Sequence, residues 1–309
     1  MRAYLFVVLA ACGSTAHDGG GVTPDASSTT RPDAARDAPA TSSGDDPVKD
    51  GTSTVATSTT TLTGATADRK LPATIYTPTP ANGAAVIISP GFQMKRTQYA
   101  SYSQHMATHG YTVILTDYAD QGLFADHQKL ANDVGAVVTY ALALPGITNI
   151  ALAGHSLGGD ISTLAASGDP RVKAIVGWDP VDAANTSVVP EKPITAALAV
   201  LGETTDGSGG FMPCAPTADN FQQFYAAAPS PALQMTINNA DHMDWVDDGT
   251  CALCTLCTAG TADPSLAHDA TKRLNVAWLN ARLLGDTTMQ TWLMSPPEVG
   301  AGTASVVAK

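Results

Sequence analysis

Apolar side chains in this chain fall into short bursts separated by polar, helix-like stretches. The bursts lie at Ala73–Tyr76, Ala85–Ser89, Thr112–Thr116, Ile150–Ala153, Ala174–Trp178, Ala196–Leu201 and Leu233–Ile237, bounded by Gly, Pro and Asn. Continuous apolar runs of this length suit strands buried on both faces. Between them, Thr97–His109 ends at Gly110, Asp126–Leu144 at Pro145-Gly146, Leu157–Ser167 at Gly168 and Asp219–Ala228 at Pro229. Gly and Pro at those positions are helix stops. In Ser265–Leu284, Leu274, Ala277, Trp278, Ala281 and Leu284 share one helical face. The Thr-rich stretch from Thr52 to Thr63 reads as an edge strand, or as more linker. Strand-helix alternation predicts one α/β domain over residues 51–309, with a mostly parallel sheet and helices on both faces.

Residues 1–50 follow a different pattern. Met1-Arg2, an apolar stretch from Ala3 to Ala11, then Cys12 make a basic start followed by an apolar segment, as in an export signal. Leu9-Ala10-Ala11-Cys12 resembles a bacterial lipobox, which implies cleavage after residue 11 and a lipid anchor on Cys12. Residues 13–50 contain seven Asp against two Arg and one Lys, with hardly an apolar side chain. Such a segment cannot bury enough surface to offset its ordering entropy. Residues 12–50 are expected to be a disordered tether. An exported protein, lipid-anchored to a bacterial membrane or secreted, is the localisation these features imply.

Composition excludes several classes. The 309 residues carry a formal charge of -12, with 16 Lys+Arg against 28 Asp+Glu. Nucleic-acid binding needs Lys and Arg to neutralise phosphates, so no nucleic-acid partner is expected. The apolar segment at the start is too short to span a bilayer. Membrane association is expected only through Cys12, and the chain is expected to be a monomer.

The chemistry concentrates at Gly154-His155-Ser156-Leu157-Gly158-Gly159, between the apolar run Ile150–Ala153 and a helical stretch. G-x-S-x-G between a strand and a helix is the nucleophile-elbow pattern. Its serine sits in a strained turn, and its close neighbours must lack a Cβ. A serine hydroxyl also needs a base. In this pattern the order is Ser, acid, His, and only His242 and His268 follow Ser156. His268 lies in the last amphipathic helix. His242 directly follows the strand Leu233–Ile237, at the sheet edge where open α/β sheets bind ligands. His105, His109 and His127 read as helix-surface residues, and the side chain of His155 should point away from that of Ser156.

Two carboxylates could orient the histidine. Asp179 follows the strand Ala174–Trp178, and Asp206 follows the next strand; position alone does not separate them. Asp182, Asp241 and Asp244 suit solvated or capping roles. The oxyanion hole should use the backbone N–H of Leu157 and of Phe92, in the loop Ser89-Pro90-Gly91-Phe92.

With these residues assembled, the chain resembles an α/β-hydrolase of the chlorophyllase type over about residues 80–284. The resemblance rests on Ser89-Pro90-Gly91-Phe92, Gly154–Gly159, Trp178-Asp179-Pro180-Val181 and the stretch from Pro213 to Asp248. It implies an α/β-hydrolase fold without a large lid domain, and it favours Asp179 as the acid. Platelet-activating-factor acetylhydrolases are similar in placing the acid in this segment. The chlorophyllase pattern has Arg after the nucleophile, whereas this chain has Leu157. Cutinases and polyester hydrolases share the Pro-Gly-Phe/Tyr loop and are the alternative resemblance.

Cys214, Cys251, Cys254 and Cys257 could hold a metal, but export favours disulfides. Two disulfides of open connectivity are expected, clipping the loops around His242, with no metal. No phosphate loop or helical His-Glu-x-x-His motif is present, so no cofactor is expected. Phe92, Met94, Trp178, Phe211, Met212, Met243 and Trp245 lie near the catalytic loops in sequence; some of them are expected in the core, and together they suggest an open, apolar cleft. The expected activity is serine-dependent hydrolysis of carboxylic esters bearing hydrophobic groups. A catalytically silent binding lipoprotein is the alternative from another class.

Overall fold

The computed structural model describes residues 45–122, 124–184, 186–188, 193–208, 213–249 and 254–309, with the side chain of Cys254 left out. The expected signal, Cys12, most of the expected tether, Phe211, Met212 and Cys251 lie outside the described residues.

Nine strands form one sheet: β1 (Thr54–Thr63), β2 (Lys70–Thr79), β3 (Ala84–Ser89), β4 (Thr112–Thr116), β5 (Asn149–His155), β6 (Val172–Trp178), β7 (Ala197–Glu203), β8 (Ala232–Ile237) and β9 (Ala304–Ala308). Their order is β1-β2-β4-β3-β5-β6-β7-β8-β9. The strands from β4 through β8 in that order are parallel, while β1, β2 and β9 pair antiparallel at the edges. The chain runs from β3 to β4 on one side, then to β5 on the other. That reversal opens a crevice at the carboxyl ends of β3 and β5.

The apolar runs are continuous because both sheet faces are covered. In β3, Val86 and Ile88 face one core, and Ala85 and Ile87 face the other. Helices α1 (Ala100–Thr108) and α5 (Pro264–Leu279) cover the first face with Tyr102, Met106, Leu274 and Trp278. Helices α2 (His127–Leu142), α3 (Leu157–Ala166) and α4 (Phe221–Ala227) cover the second with Val134, Val137, Ile161 and Phe221. Side chains at α2 and α4 starts cap their helices: Asp126 accepts from the Lys129 N–H, and Asn220 from that of Gln222. Two short helices, α6 (Gln290–Met294) and α7 (Pro297–Gly300), lead into β9.

The domain begins earlier than the expected residue 51. Asp46 accepts from Arg273 Nε of α5 at 2.7 Å, and the Lys49 carbonyl lies 2.9 Å from His109 Nε2 and 3.2 Å from His105 Nε2. The expected surface position of His105 is also corrected, since it is 2% exposed beneath this segment. Among the described residues no helix is long and apolar enough to cross a membrane.

The β1–β2 turn is locked onto α2 by a buried charge. Asp133 is fully buried and accepts from Arg69 Nε at 2.6 Å and from the Ala65 N–H at 2.9 Å. Removing Asp133 would leave the buried Arg69 with only Asp120, itself more than half exposed, as a counter-charge. Asp133→Ala should therefore lower the unfolding free energy by about 3–5 kcal/mol, measured by urea denaturation. A loss below about 1 kcal/mol, as for an exposed pair, would contradict this role.

Candidate active site

Ser156 stands alone between β5 and α3, at φ 53° and ψ −123°. This unfavourable backbone raises the side chain above the sheet edge. The turn requires two bare glycines. A Cβ on Gly158 would lie 1.9 Å from the Ser89 carbonyl oxygen, and one on Gly154 would lie 2.4 Å from the Gly158 backbone.

His242 arrives from the loop after β8. Its Nε2 is 2.9 Å from Ser156 Oγ, and its Nδ1 is 2.6 Å from Asp179 Oδ2. Asp179 directly follows β6, in a left-handed conformation (φ 42°), and is fully buried. A carboxylate accepts the Nδ1 proton, leaving the Nε2 lone pair facing the serine hydroxyl. Burial opposes a charge on the His242 ring, but the hydrogen bond and charge of Asp179 outweigh it and raise the ring above the ordinary histidine value.

Asp206, the other candidate acid, does not bond the ring. Its Oδ2 accepts the His242 N–H at 3.1 Å, and its Oδ1 accepts the Thr258 N–H at 2.8 Å. It holds the loop rather than the imidazole. Asp182 accepts the N–H groups of Thr186, Ser187 and Val188, and Asp241 those of Met243 and Gly260, in line with capping. Asp244 accepts the Asp241 N–H.

The N–H groups of Phe92 and Leu157 have no acceptor among the described residues. The Phe92 loop is tied to the histidine loop by a directed chain. His155 Nε2 lies 2.8 Å from the His242 carbonyl, so it must donate. Burial holds the His155 ring well below the ordinary histidine value and keeps it neutral, so Nδ1 accepts from the Tyr99 hydroxyl at 2.9 Å. The Tyr99 oxygen in turn accepts the Gly91 N–H at 3.1 Å.

Ser156, His155 and His242 open onto a cavity of about 540 Å³ lined by Phe92, Met94, Leu157, Val181, Met243 and Leu256. Trp178 and Trp245, near the catalytic loops in sequence, are fully buried core. Cys214 and Cys257 line the cavity and are joined by a disulfide. That bond uses two of the thiols a four-cysteine metal site would need; Cys251 and the Cys254 side chain are outside the described residues.

Two residues of this region carry no local sequence signal. Glu203, at the end of β7, accepts the Asp206 N–H at 2.8 Å, and burial together with the charge of Asp179 pushes its carboxyl up to about 8. His127, expected on a helix surface, lines the cavity and bonds Asp160 through Nδ1. Asp160 is 33 positions away in sequence, and its place after Gly159 resembles ordinary helix sequence.

A mostly parallel sheet, an elbow serine after β5 and a histidine after β8 define the α/β-hydrolase class. The chain belongs to the chlorophyllase family, whose model matches residues 46–303. It is similar to Chlorophyllase-1 of Arabidopsis thaliana, 28% identical over 207 residues, covering 57% of this chain and 64% of that protein. It is also similar to cutinase est1 of Thermobifida alba, 26% identical over 238 residues, covering 74% of this chain and 70% of that protein. Both relatives are ester hydrolases by name, and the chain spans less than two thirds of the length of Chlorophyllase-1.

The ring contact generates a direct measurement. His242 should titrate above the ordinary histidine value of about 6.5 by NMR. Asp179→Asn should lower that value further than Asp206→Asn does. A larger fall with Asp206→Asn would assign the ring's partner to Asp206.

Proposed function

We propose that this protein is a serine esterase that cleaves carboxylic esters bearing hydrophobic groups. The observation that carries the reading is the unbroken contact line Ser156–His242–Asp179 at the floor of an apolar cavity. His242 takes the Ser156 proton as Oγ attacks the ester carbonyl. The Phe92 and Leu157 N–H groups stabilise the oxyanion, a contribution of roughly 10²–10³ in rate per donor. The resulting imidazolium, steadied by Asp179, protonates the leaving alcohol. Water then enters, gives its proton to His242 and releases the acid from the acyl-enzyme.

Within this reading, a chlorophyllase-like substrate is supported by the family. A cutinase or polyester substrate is supported by the similarity to cutinase est1 and by Leu157, an apolar residue lining the cavity where the chlorophyllase pattern has Arg. The loop after β6 reaches β7 at Ala197, which leaves no length for a helical lid between these strands. Phe124, 96% exposed, lies next to the cavity-lining Ala125 and suits contact with a hydrophobic substrate surface.

Ser156→Ala should abolish turnover of p-nitrophenyl butyrate, since losing such a nucleophile costs roughly 10⁶ in kcat. A fluorophosphonate probe should label the parent protein and not this variant. Unchanged turnover, or no labelling of the parent, would overturn the reading and favour a silent binding protein.

Export and a lipid anchor at Cys12 are part of the same proposal, supported by the lipobox-like Leu9-Ala10-Ala11-Cys12. In a bacterial host, Cys12→Ser should move the protein from the membrane fraction to the soluble fraction and stop palmitate incorporation. An unchanged distribution would remove the anchor from the proposal.

A further inference from the structure

We propose that His127, held from behind by Asp160, donates a hydrogen bond to a second acyl oxygen of the substrate, outside the scissile ester. This rests on the esterase reading and deepens it by naming what the far end of the substrate carries.

The cavity wall is mostly apolar, so each polar atom on it matters. Among the described residues its polar side chains are Ser156, His155, His242 and His127. Ser156 and His242 are bonded to each other, and the second nitrogen of His242 is on Asp179. Both nitrogens of His155 are taken by Tyr99 and the His242 carbonyl. His127 is different. Its Nδ1 is 2.5 Å from Asp160 Oδ2, while its Nε2 has no partner among the described residues and is not sealed from the cavity. Its side chain is 12% exposed, and Asp160 behind it is fully buried. A polar nitrogen at an apolar wall loses hydrogen bonds to water when substrate enters, unless the substrate supplies a partner.

Two buried carboxylates, Asp160 and Asp182, have ligand atoms within 4.8 Å of a ring nitrogen, and no other cation pairs with them among the described residues, so the ring is their counter-charge and its own partner is an acceptor. Asp160 takes the Nδ1 proton, so a second proton on the ring can only reside on Nε2 and point into the cavity. Burial works against the charged ring, yet the hydrogen bond and charge of Asp160, with Asp182 and Asp126 adding to it, raise His127 above the ordinary histidine value. In its charged form the ring is a strong donor to a carbonyl or carboxylate oxygen. An ester whose acyl chain carries a second carbonyl group would satisfy it, whereas a plain alkyl chain would leave it bare.

The carboxylates of this cluster are engaged in hydrogen bonds that shape the wall. Ligand atoms of His127, Asp160 and Asp182 lie within 4.8 Å of one another. Every carboxylate oxygen there already accepts a proton donor: Asp160 from His127 and the Ser187 hydroxyl, Asp182 from the N–H groups of Thr186, Ser187 and Val188. The acids are committed to building the wall that carries His127. Asp160 acts through His127 and is a positioning residue.

Three p-nitrophenyl esters of matched length test this: the octanoate, the methyl adipate diester and the adipate half-acid. The readout is kcat/KM for each oxygen-bearing ester divided by that for the octanoate. This ratio is internal to one preparation and independent of the fraction folded. His127→Leu should lower at least one ratio roughly tenfold, chiefly through KM. His127→Gln, which keeps an N–H donor, should give an intermediate ratio. A loss confined to the diester assigns a neutral carbonyl, and one confined to the half-acid assigns a carboxylate. Octanoate turnover with both ratios unchanged in His127→Leu overturns this proposal alone. No turnover of any ester by the parent protein overturns the esterase reading, and this proposal with it.

Discussion

The site depends on one close approach, that of the α3 N-terminus to the end of β3. The Gly158 backbone lies against the Ser89 carbonyl so tightly that no Cβ fits between them. This contact presses the elbow onto the neighbouring strand and holds Ser156 in a backbone conformation that no relaxed serine would choose. It also sets the spacing between the Leu157 amide, at the helix start, and the Phe92 amide, three residues beyond Ser89. Two donors on separate elements can serve one oxygen only if the elements are fixed relative to each other. The parallel pairing of β3 with β5, in register from Ala84↔Asn149 to Ser89↔Gly154, provides the frame.

The histidine loop is fixed from two further directions. Asp206 anchors its backbone from the β7 side. The chain from Gly91 through Tyr99 and His155 anchors its carbonyl from the β3 side. Because that chain has a defined direction, it works only while His155 stays neutral, and burial ensures that. His155, expected to point away from Ser156, lines the same cavity and couples the Phe92 loop to His242.

Much of the fold was legible because parallel strands covered on both faces write themselves as unbroken apolar runs. The edge strand β9 was not: its exposed side chains break the run, and its partner β8 lies about seventy residues earlier. The start of the domain was hidden for a similar reason. Asp46 looks like one more acid of a polar tether until Arg273, 227 positions away, is brought to it. At the site, the elbow motif is local and could be read directly. The choice between Asp179 and Asp206 is not local, since both follow adjacent parallel strands and differ only in whether they meet a ring or a backbone N–H. Which aromatics near the site would be core could not be read, because proximity to a loop in sequence does not say where a ring lies; Trp178 and Trp245 are the buried ones.

The acidic character of the chain now has a local meaning. Around the cavity, each buried acid is answered separately: Asp179 by the His242 ring, Asp206 and Asp182 by backbone N–H groups, and Asp160 by His127. Glu203 is answered by keeping its proton at neutral pH, because a second charge beside Asp179 in a poorly solvated region would be costly. Charges compensated one by one exert little net field, so under the proposed function a cavity walled by Phe92, Met94 and Met243 suits a neutral, apolar substrate despite the acids behind it. The same compensation leaves the cavity with very few polar atoms to spare. In such a setting, selectivity rests on the rare uncommitted group, because an unmet hydrogen bond at an apolar wall discriminates more sharply between substrates than another methylene does.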